Sequence, residues 1–129
     1  MGRLIPKNSP KYDHGLDLDL IVHASRAEIA SAVMTGLHEN IEVEEHTSER
    51  LLLSGKSLVK VKNIWMEVAF HDHPAGTQVT SRITKAHTTA VFYILGIGIG
   101  PSKVRGLVTY VTLTNLWRTN LGALAQPTP

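Results

Sequence analysis

The chain of 129 residues contains no cysteine. Disulfide bonds, thiolate zinc sites, iron–sulfur clusters and cysteine nucleophiles are therefore excluded, and a small domain without disulfides fits the cytoplasm. Aromatic residues make up only 5% of the chain, so aliphatic side chains must build most of the core. A chain of this length forms one domain. We expect a cytoplasmic protein with a flexible N-terminal arm at 1–14, a single domain at 15–125 and a tail at 126–129.

Acidic side chains are absent after Asp72. Residues 1–72 carry a net charge of −3, whereas residues 73–129 carry five cations, no carboxylate side chain and a net charge of +5. The cationic part also contains the most apolar run of the chain, from Ala90 to Gly100. Cations beside apolar surface suit an anionic amphiphile, a membrane surface or an acidic partner.

Long apolar runs are absent as well. The run that ends at Gly100 has eleven residues, whereas a membrane-spanning helix needs about 20. Lys103 and Arg105 interrupt any extension of it, so we predict no transmembrane segment. Nucleic acid is a disfavoured partner, because five cations over residues 73–129 are sparse and aromatic residues do not alternate with them.

Alternating apolar and polar residues predict strands along most of the chain. The first extends from Leu16 to Val22, and Ser25 with Glu28 then forms a capping box that begins a helix with an apolar face. Further strands are predicted at Ile41–His46, Arg50–Ser54, Leu58–His71, Thr77–Lys85 and Thr88–Ile99. The long strand changes its apolar phase near Lys62-Asn63, which indicates a bulge or a break.

A second helix is predicted from Gly100-Pro101-Ser102 to Leu124, because proline is favoured in the first turn of a helix. The element order is then β-α-β-β-β-β-β-α. Short connections between the middle strands predict an antiparallel sheet. We therefore expect an α+β fold with about six strands in one sheet, both helices on one face and a long C-terminal helix.

In this order of elements the chain resembles the START-like helix-grip superfamily, also called the SRPBCC or polyketide cyclase-like group. The resemblance is carried by the strand Leu16–Val22, the helix that follows at once, the strands of 41–99 and the closing helix at 102–124. It implies an apolar cavity that binds a lipid or an aromatic small molecule, with Phe70, Phe92 and Trp117 as its lining. The chain departs from the group in its short length and in lacking the second small helix. A TATA-binding-protein-like or ferredoxin-like variant remains the alternative fold.

Four cations form a candidate anion-binding rim: Arg82, Lys85, Lys103 and Arg105. The last two are predicted in the first turn of the second helix, where backbone N–H groups attract anions. Cations there oppose the helix dipole, which makes their position notable. The alternative interpretation is that all four are solvated surface charges.

Catalytic and cofactor motifs are weak. The triplet His71–His73 places two imidazoles on one side of a strand, but a metal site needs three or four ligands and a Pro-Gly turn explains these polar residues. The glycines at 96, 98 and 100 lack the spacing of a nucleotide fingerprint. Glu67 is the only carboxylate inside a long strand, and we place it on a solvated outer face. We predict no catalytic residue, no metal and no cofactor.

Two functions follow from these patterns. The first is binding of a hydrophobic or amphipathic anionic small molecule in a cleft between the sheet and the C-terminal helix. The alternative is a non-enzymatic interaction module that forms a homodimer through the segment 90–99, which is apolar in both strand phases.

Overall fold

A computed structural model describes residues 12–57, 60–94, 97–104 and 106–125, with the segments 88–94 and 97–104 given by their backbone. After a 3₁₀ turn at His14–Leu16, the elements in chain order are β1 (Asp19–Val22), α1 (Arg26–Met34), β2 (Ile41–His46), β3 (Arg50–Lys56), β4 (Lys62–His73), β5 (Gly76–Ala86), β6 (Thr88–Ile94), β7 (Ile97–Val104) and α2 (Leu107–Ala125). The α+β class and the long C-terminal helix agree with the sequence prediction.

Five strands form one antiparallel sheet in the order β1-β5-β4-β3-β2. The single sheet of about six strands is therefore a wrong prediction. The segment 88–99 is not one strand, because Ile94 faces Ile97 and the chain returns as β7 to make a separate hairpin with β6. An apolar run does not by itself show a chain reversal, since both strands of the hairpin have the same composition.

The start of the second helix is also corrected. α2 begins at Leu107, and the segment that includes Pro101 and Lys103 belongs to β7. Proline is tolerated at a strand edge as well as in the first turn of a helix, so it could not decide between them. Gly106, with a positive φ of 79°, separates the strand from the helix.

Two local predictions are confirmed. The register between β3 and β4 shifts between the pairs Gly55–Ile64 and Lys56–Lys62, which is where the apolar phase changes in the sequence. At the start of α1, the Ser25 hydroxyl accepts the backbone N–H of Glu28 at 3.1 Å, and the Glu28 carboxylate accepts that of Ser25 at 3.3 Å. These bonds satisfy backbone donors that the first turn of a helix leaves unpaired.

The core lies between the sheet and the two helices. Alternate residues of β3, β4 and β5 join the buried faces of α1 and α2 in one cluster, so both helices cover the same face of the sheet. Its buried members are Leu18, Val22, Ile29, Ala30, Val33, Leu51, Leu53, Ile64, Met66, Val68, Phe70, Val79, Ile83, Tyr110, Leu113, Trp117 and Leu121. The aliphatic majority agrees with the low aromatic content.

Two glycines near α2 offer a matched test of this geometry. A Cβ on Gly106 would lie 2.9 Å from Ile64 Cγ2 in a backbone with φ of +79°, whereas a Cβ on Gly122 would meet nothing within 4 Å. We expect Gly106→Ala to lower the free energy of unfolding by at least about 1 kcal/mol. Gly122→Ala should raise it by about 0.5–1 kcal/mol, because alanine is the better helix former. Urea denaturation measures both, and equal effects of the two variants would contradict the junction described here.

Candidate functional site

The predicted cavity residues occupy different places in the structure. Phe70 on β4 is 3% exposed and Trp117 on α2 is fully buried. The indole N–H of Trp117 donates to the backbone carbonyl of Val33 at 3.0 Å, so this side chain joins the two helices from within the core. Phe92 lies on β6, and its side chain is outside the described residues. Phe70 and Trp117 are thus packed core residues, and the cavity lining remains a prediction.

Two of the recesses at the surface of the described structure have residues of α2 in their lining. The larger, of about 600 Å³, is an open groove between α1 and α2 whose walls include Ala27, Ala32 and Ala123. The smaller, of about 280 Å³, lies where the first half of α2 meets the β2–β3 edge of the sheet. Its lining consists of His38, Asn40, Ile41, Lys56, Val108, Thr109, Thr112 and Leu113. This second recess is the one that lies between the sheet and the C-terminal helix.

The predicted anion rim is divided between two parts of the fold. Arg82 lies on the outer face of the sheet, where its Nε is 3.1 Å from Glu67 Oε1. Lys85 lies beside it, with its Nζ 4.7 Å from the centre of the Trp65 ring. Lys103 belongs to β7 rather than to a helix, and Arg105 lies outside the described residues. The helix N-terminus that motivated the rim therefore does not contain Lys103.

Cross-strand ion pairs cover the outer face of the sheet. Arg50 approaches Glu45 at 3.5 Å and Glu67 at 3.3 Å, so Glu67 bridges two arginines. On β2, Glu44 pairs with Lys62, and the hydrogen bond from that ammonium lowers the pKa of the Glu44 carboxyl. Half-exposed pairs of this kind each contribute little to stability. Glu67 lies on the outer face as predicted, but its side chain is only 13% exposed and has an arginine on each side, so the prediction that it is solvated is wrong.

The segment His71-Asp72-His73 forms the end of β4. His71 Nε2 lies 3.5 Å from the Thr80 hydroxyl, and Asp72 pairs with Arg26 at 3.0 Å. His73 Nδ1 accepts the backbone N–H of Ala75 at 3.0 Å and so supports the turn into β5. Within the described part of the chain, no group of three or more potential metal ligands comes together.

A buried polar cluster joins the segment before β1 to β5 and α2. The Tyr110 hydroxyl donates to Asp17 Oδ1 at 2.5 Å and lies 2.7 Å from Ser81 Oγ. The Tyr12 hydroxyl donates to the same carboxylate at 2.7 Å and accepts the backbone N–H of Ile83 at 3.0 Å. Burial raises the pKa of both tyrosines above the ordinary value, and the nearby Asp17 carboxylate adds to this shift.

The sequence contained one signal for this cluster. Ser81 lies in the inward phase of its strand, between Val79 and Ile83, and a buried hydroxyl needs a partner. Its partners come from distant parts of the chain, so no spacing could identify them. Tyr12 and His14 were predicted within the N-terminal arm, yet Tyr12 packs on the core and His14 lies 3.2 Å from Asp17. Residues 1–11 lie outside the described residues.

The β6–β7 hairpin contains the apolar run. Its register pairs Ala90 with Ser102, Phe92 with Ile99 and Ile94 with Ile97. Residues paired across an antiparallel ladder share a face, so one face carries Phe92, Ile94, Ile97 and Ile99. The opposite face carries the alternate positions Val91, Tyr93, Gly98 and Lys103. The backbone register thus places four large apolar residues of the run in one phase of the hairpin.

The hairpin starts where the main sheet ends. The last pair between β4 and β5 is Ile64 with Ala86, and the backbone N–H of His87 donates to the carbonyl of Asn63 at 2.9 Å. Beyond this bond, β6 pairs with β7 and with no other strand in the described ranges.

In comparisons with known proteins, no protein-family model, no curated protein and no solved structure matches this chain. The resemblance to the START-like helix-grip superfamily therefore stays a prediction.

Over the residues that the structure describes, neither helix combines the length and apolarity needed to cross a bilayer.

The buried tyrosines predict a loss of stability in alkali. Above about pH 10 the unfolded chain releases tyrosine protons that the folded chain retains, so the free energy of unfolding falls as pH rises. Removing one such group with Tyr110→Phe should flatten this decline by up to about 1.4 kcal/mol per pH unit. The variant should also be less stable at neutral pH by about 1–3 kcal/mol, because Asp17 loses a buried donor. Urea titrations from pH 7 upward measure both effects, and parallel curves above pH 10 would contradict the role of Tyr110.

Proposed function

We propose that this chain is a self-associating interaction module in which the β6–β7 hairpin forms the contact between two copies. The observation that carries this proposal is that the most apolar segment of the chain forms a separate hairpin beyond the five-stranded sheet. Among the described residues, Glu44 and Glu67 of the sheet are paired with cations, and Asp19 accepts a hydrogen bond from the Gln78 amide.

An isolated two-stranded hairpin is only marginally stable in water. It becomes stable when a third strand or another apolar surface covers it. The face with Phe92, Ile94, Ile97 and Ile99 supplies such a surface, and two identical faces are complementary in chemistry. A second copy is therefore a sufficient cover.

The estimated free energies permit two copies of the chain to associate. Burying a large aliphatic or aromatic side chain contributes about 1.5–3 kcal/mol. Two copies of the apolar face bring eight such side chains, for an upper limit of about 12–24 kcal/mol. Losing the independent motion of the two molecules costs about 4–15 kcal/mol. Micromolar or tighter self-association lies within this range.

A charge on the apolar face should separate the two copies. We expect the unmodified chain to be dimeric at micromolar concentration and Phe92→Asp to be monomeric, because a carboxylate cannot be buried in an apolar contact without a partner. Val108→Asp is the matched control, since Val108 is 80% exposed and belongs to α2 rather than to either strand of the hairpin. Sedimentation equilibrium measures the masses, and circular dichroism checks that the fold persists. A monomeric unmodified chain, or dissociation by both variants alike, would refute the module.

A second function has a specific observation in its favour. The recess between α2 and the β2–β3 edge is lined by the apolar side chains Ile41, Val108 and Leu113, with Lys56 among its lining residues. Such a site suits a short amphipathic acid, with the chain on the apolar wall and the carboxylate at the ammonium group. Its volume of about 280 Å³ is at the lower end of the range for small-molecule sites. Lys56 is already paired with Glu42 at 3.4 Å, which makes this function the weaker candidate.

Octanoate is a suitable probe for this recess. We expect it to bind weakly to the unmodified chain and not to Thr112→Trp, because the indole fills the recess. Thr119→Trp is the matched control, since Thr119 is exposed farther along the same helix. Isothermal titration calorimetry measures binding. No heat with the unmodified chain, or equal heat with both variants, would remove the recess as a site.

A further inference from the structure

We propose that the outer face of the sheet binds a phosphate group in a recess above Ala69. The site is built from residues of β3, β4 and β5, which lie on the face of the sheet opposite to the two helices. It goes beyond the proposed self-association and does not depend on it, because the hairpin contributes no residue to it.

The register of the sheet produces the recess. Ala69 lies between Arg50 on β3 and Thr80 on β5, and the next residues on the same face of β4 are Glu67 and His71. A single methyl group among longer side chains leaves a depression. Recesses of about 370 and 220 Å³ meet there, because Glu67, Ala69 and His71 line both of them. The smaller one is below the usual volume of sites for whole small molecules and suits a small anionic group.

Glu67 fixes the position of two arginines beside this depression. Its Oε1 accepts the Nε–H of Arg82 at 3.1 Å, and its Oε2 accepts an N–H of Arg50 at 3.3 Å. The carboxylate is 13% exposed and has one guanidinium group on each oxygen, so it orients the arginines. Arg50 also approaches Glu45 at 3.5 Å and is therefore shared by two carboxylates. Arg82 is the better candidate to bind an anion.

Arg82 lines the smaller recess and retains donors for a ligand. Among the described residues, its hydrogen bonding is confined to the Nε–H, so the N–H groups of its two terminal nitrogens have no protein acceptor there. The planar guanidinium group donates two parallel hydrogen bonds to phosphate or carboxylate oxygens, and such charged hydrogen bonds are stronger than neutral ones. Because Glu67 holds the Nε side, the terminal nitrogens are oriented before a ligand arrives.

Thr80 and His71 add further donors to the same recess. The Thr80 hydroxyl lies 3.5 Å from His71 Nε2, which is at the outer limit of a hydrogen bond. A ligand oxygen can therefore accept from both groups at shorter distances than the groups have to each other. A planar carboxylate is satisfied by the fork of one arginine, whereas a tetrahedral anion has further oxygens for the hydroxyl and the imidazole. This arrangement favours a phosphate group, either as the free ion or in a phosphomonoester.

A titration with inorganic phosphate, followed by amide NMR at constant ionic strength, tests the site. We expect saturable shifts at Ala69 and Thr80 in the unmodified chain. Arg82→Gln should weaken binding about tenfold or more, because it removes charged hydrogen bonds. Thr80→Val should weaken it roughly two- to tenfold through the loss of one hydroxyl. Arg82→Lys keeps the charge without the planar fork and should restore only part of the affinity.

Lys60→Gln is the matched control, since it removes one exposed cation between β3 and β4, outside the recess. We expect it to bind phosphate as the unmodified chain does, and circular dichroism checks that all variants keep the fold. Shifts that grow without saturation, or equal weakening by Arg82→Gln and Lys60→Gln, would overturn the site. Equal affinity for acetate would overturn the choice of phosphate.

Glycerol 3-phosphate distinguishes the two sources of a phosphate group. Tighter binding than that of inorganic phosphate would support a phosphomonoester whose remaining part occupies the larger recess. Weaker binding would support the free ion.

Discussion

The end of the pairing between β4 and β5 determines where the β6–β7 hairpin leaves the five-stranded sheet. β4 begins at Lys62, and its pairing with β5 ends at Ala86. The chain nevertheless continues in extended form through β6, where the main sheet offers no further strand. Backbone N–H and C=O groups need partners, and among the described residues β7 supplies them to β6. The separate hairpin therefore begins where the β4–β5 pairing ends.

In the rest of the described structure, buried polar groups have hydrogen-bond partners and apolar side chains are packed in the core. The inner face of the sheet is covered by α1 and α2, and Trp117 links the two helices through Val33. The polar cluster around Asp17 fixes the segment before β1 to β5 and α2, so that a buried serine and two tyrosines are all hydrogen-bonded. On the outer face, Glu67 lies between two arginines. Within the described ranges, buried side-chain polar atoms without a partner are absent. This contrast is what directs the functional proposal to the hairpin.

Local patterns in the sequence predicted much of the fold. The capping box at Ser25 and the strand Ile41–His46 required only neighbouring residues, and both were found as predicted. The change of apolar phase near Lys62 located the register shift for the same reason. The failures involve long-range information. Apolar residues in both phases of 88–99 fit one doubly buried strand as well as a hairpin, and Pro101 fits a helix start as well as a protected strand edge.

The candidate site was only partly accessible from the sequence. The run 90–99 was chosen as an interface because it is apolar in both phases, and the same residues now form the hairpin on which the proposal rests. The sequence could not predict how the strands of the hairpin pair, because strand pairing depends on contacts between distant residues. The predicted cavity residues show that a correct prediction of burial does not identify a cavity. Periodicity placed Phe70 and Trp117 on buried faces, but burial in a filled core and burial around a cavity give the same pattern.

The separation of charge along the chain affects how two hairpins can approach each other. Arg50 and Arg82 lie on the sheet, where both pair with Glu67, while Lys103 and Arg105 come from the part of the chain that has no carboxylates. A hairpin base with this sequence repels a second one, so a parallel arrangement of two hairpins is disfavoured. In the proposed self-association, an antiparallel arrangement of the two hairpins would place each base next to the uncharged tip of the other copy.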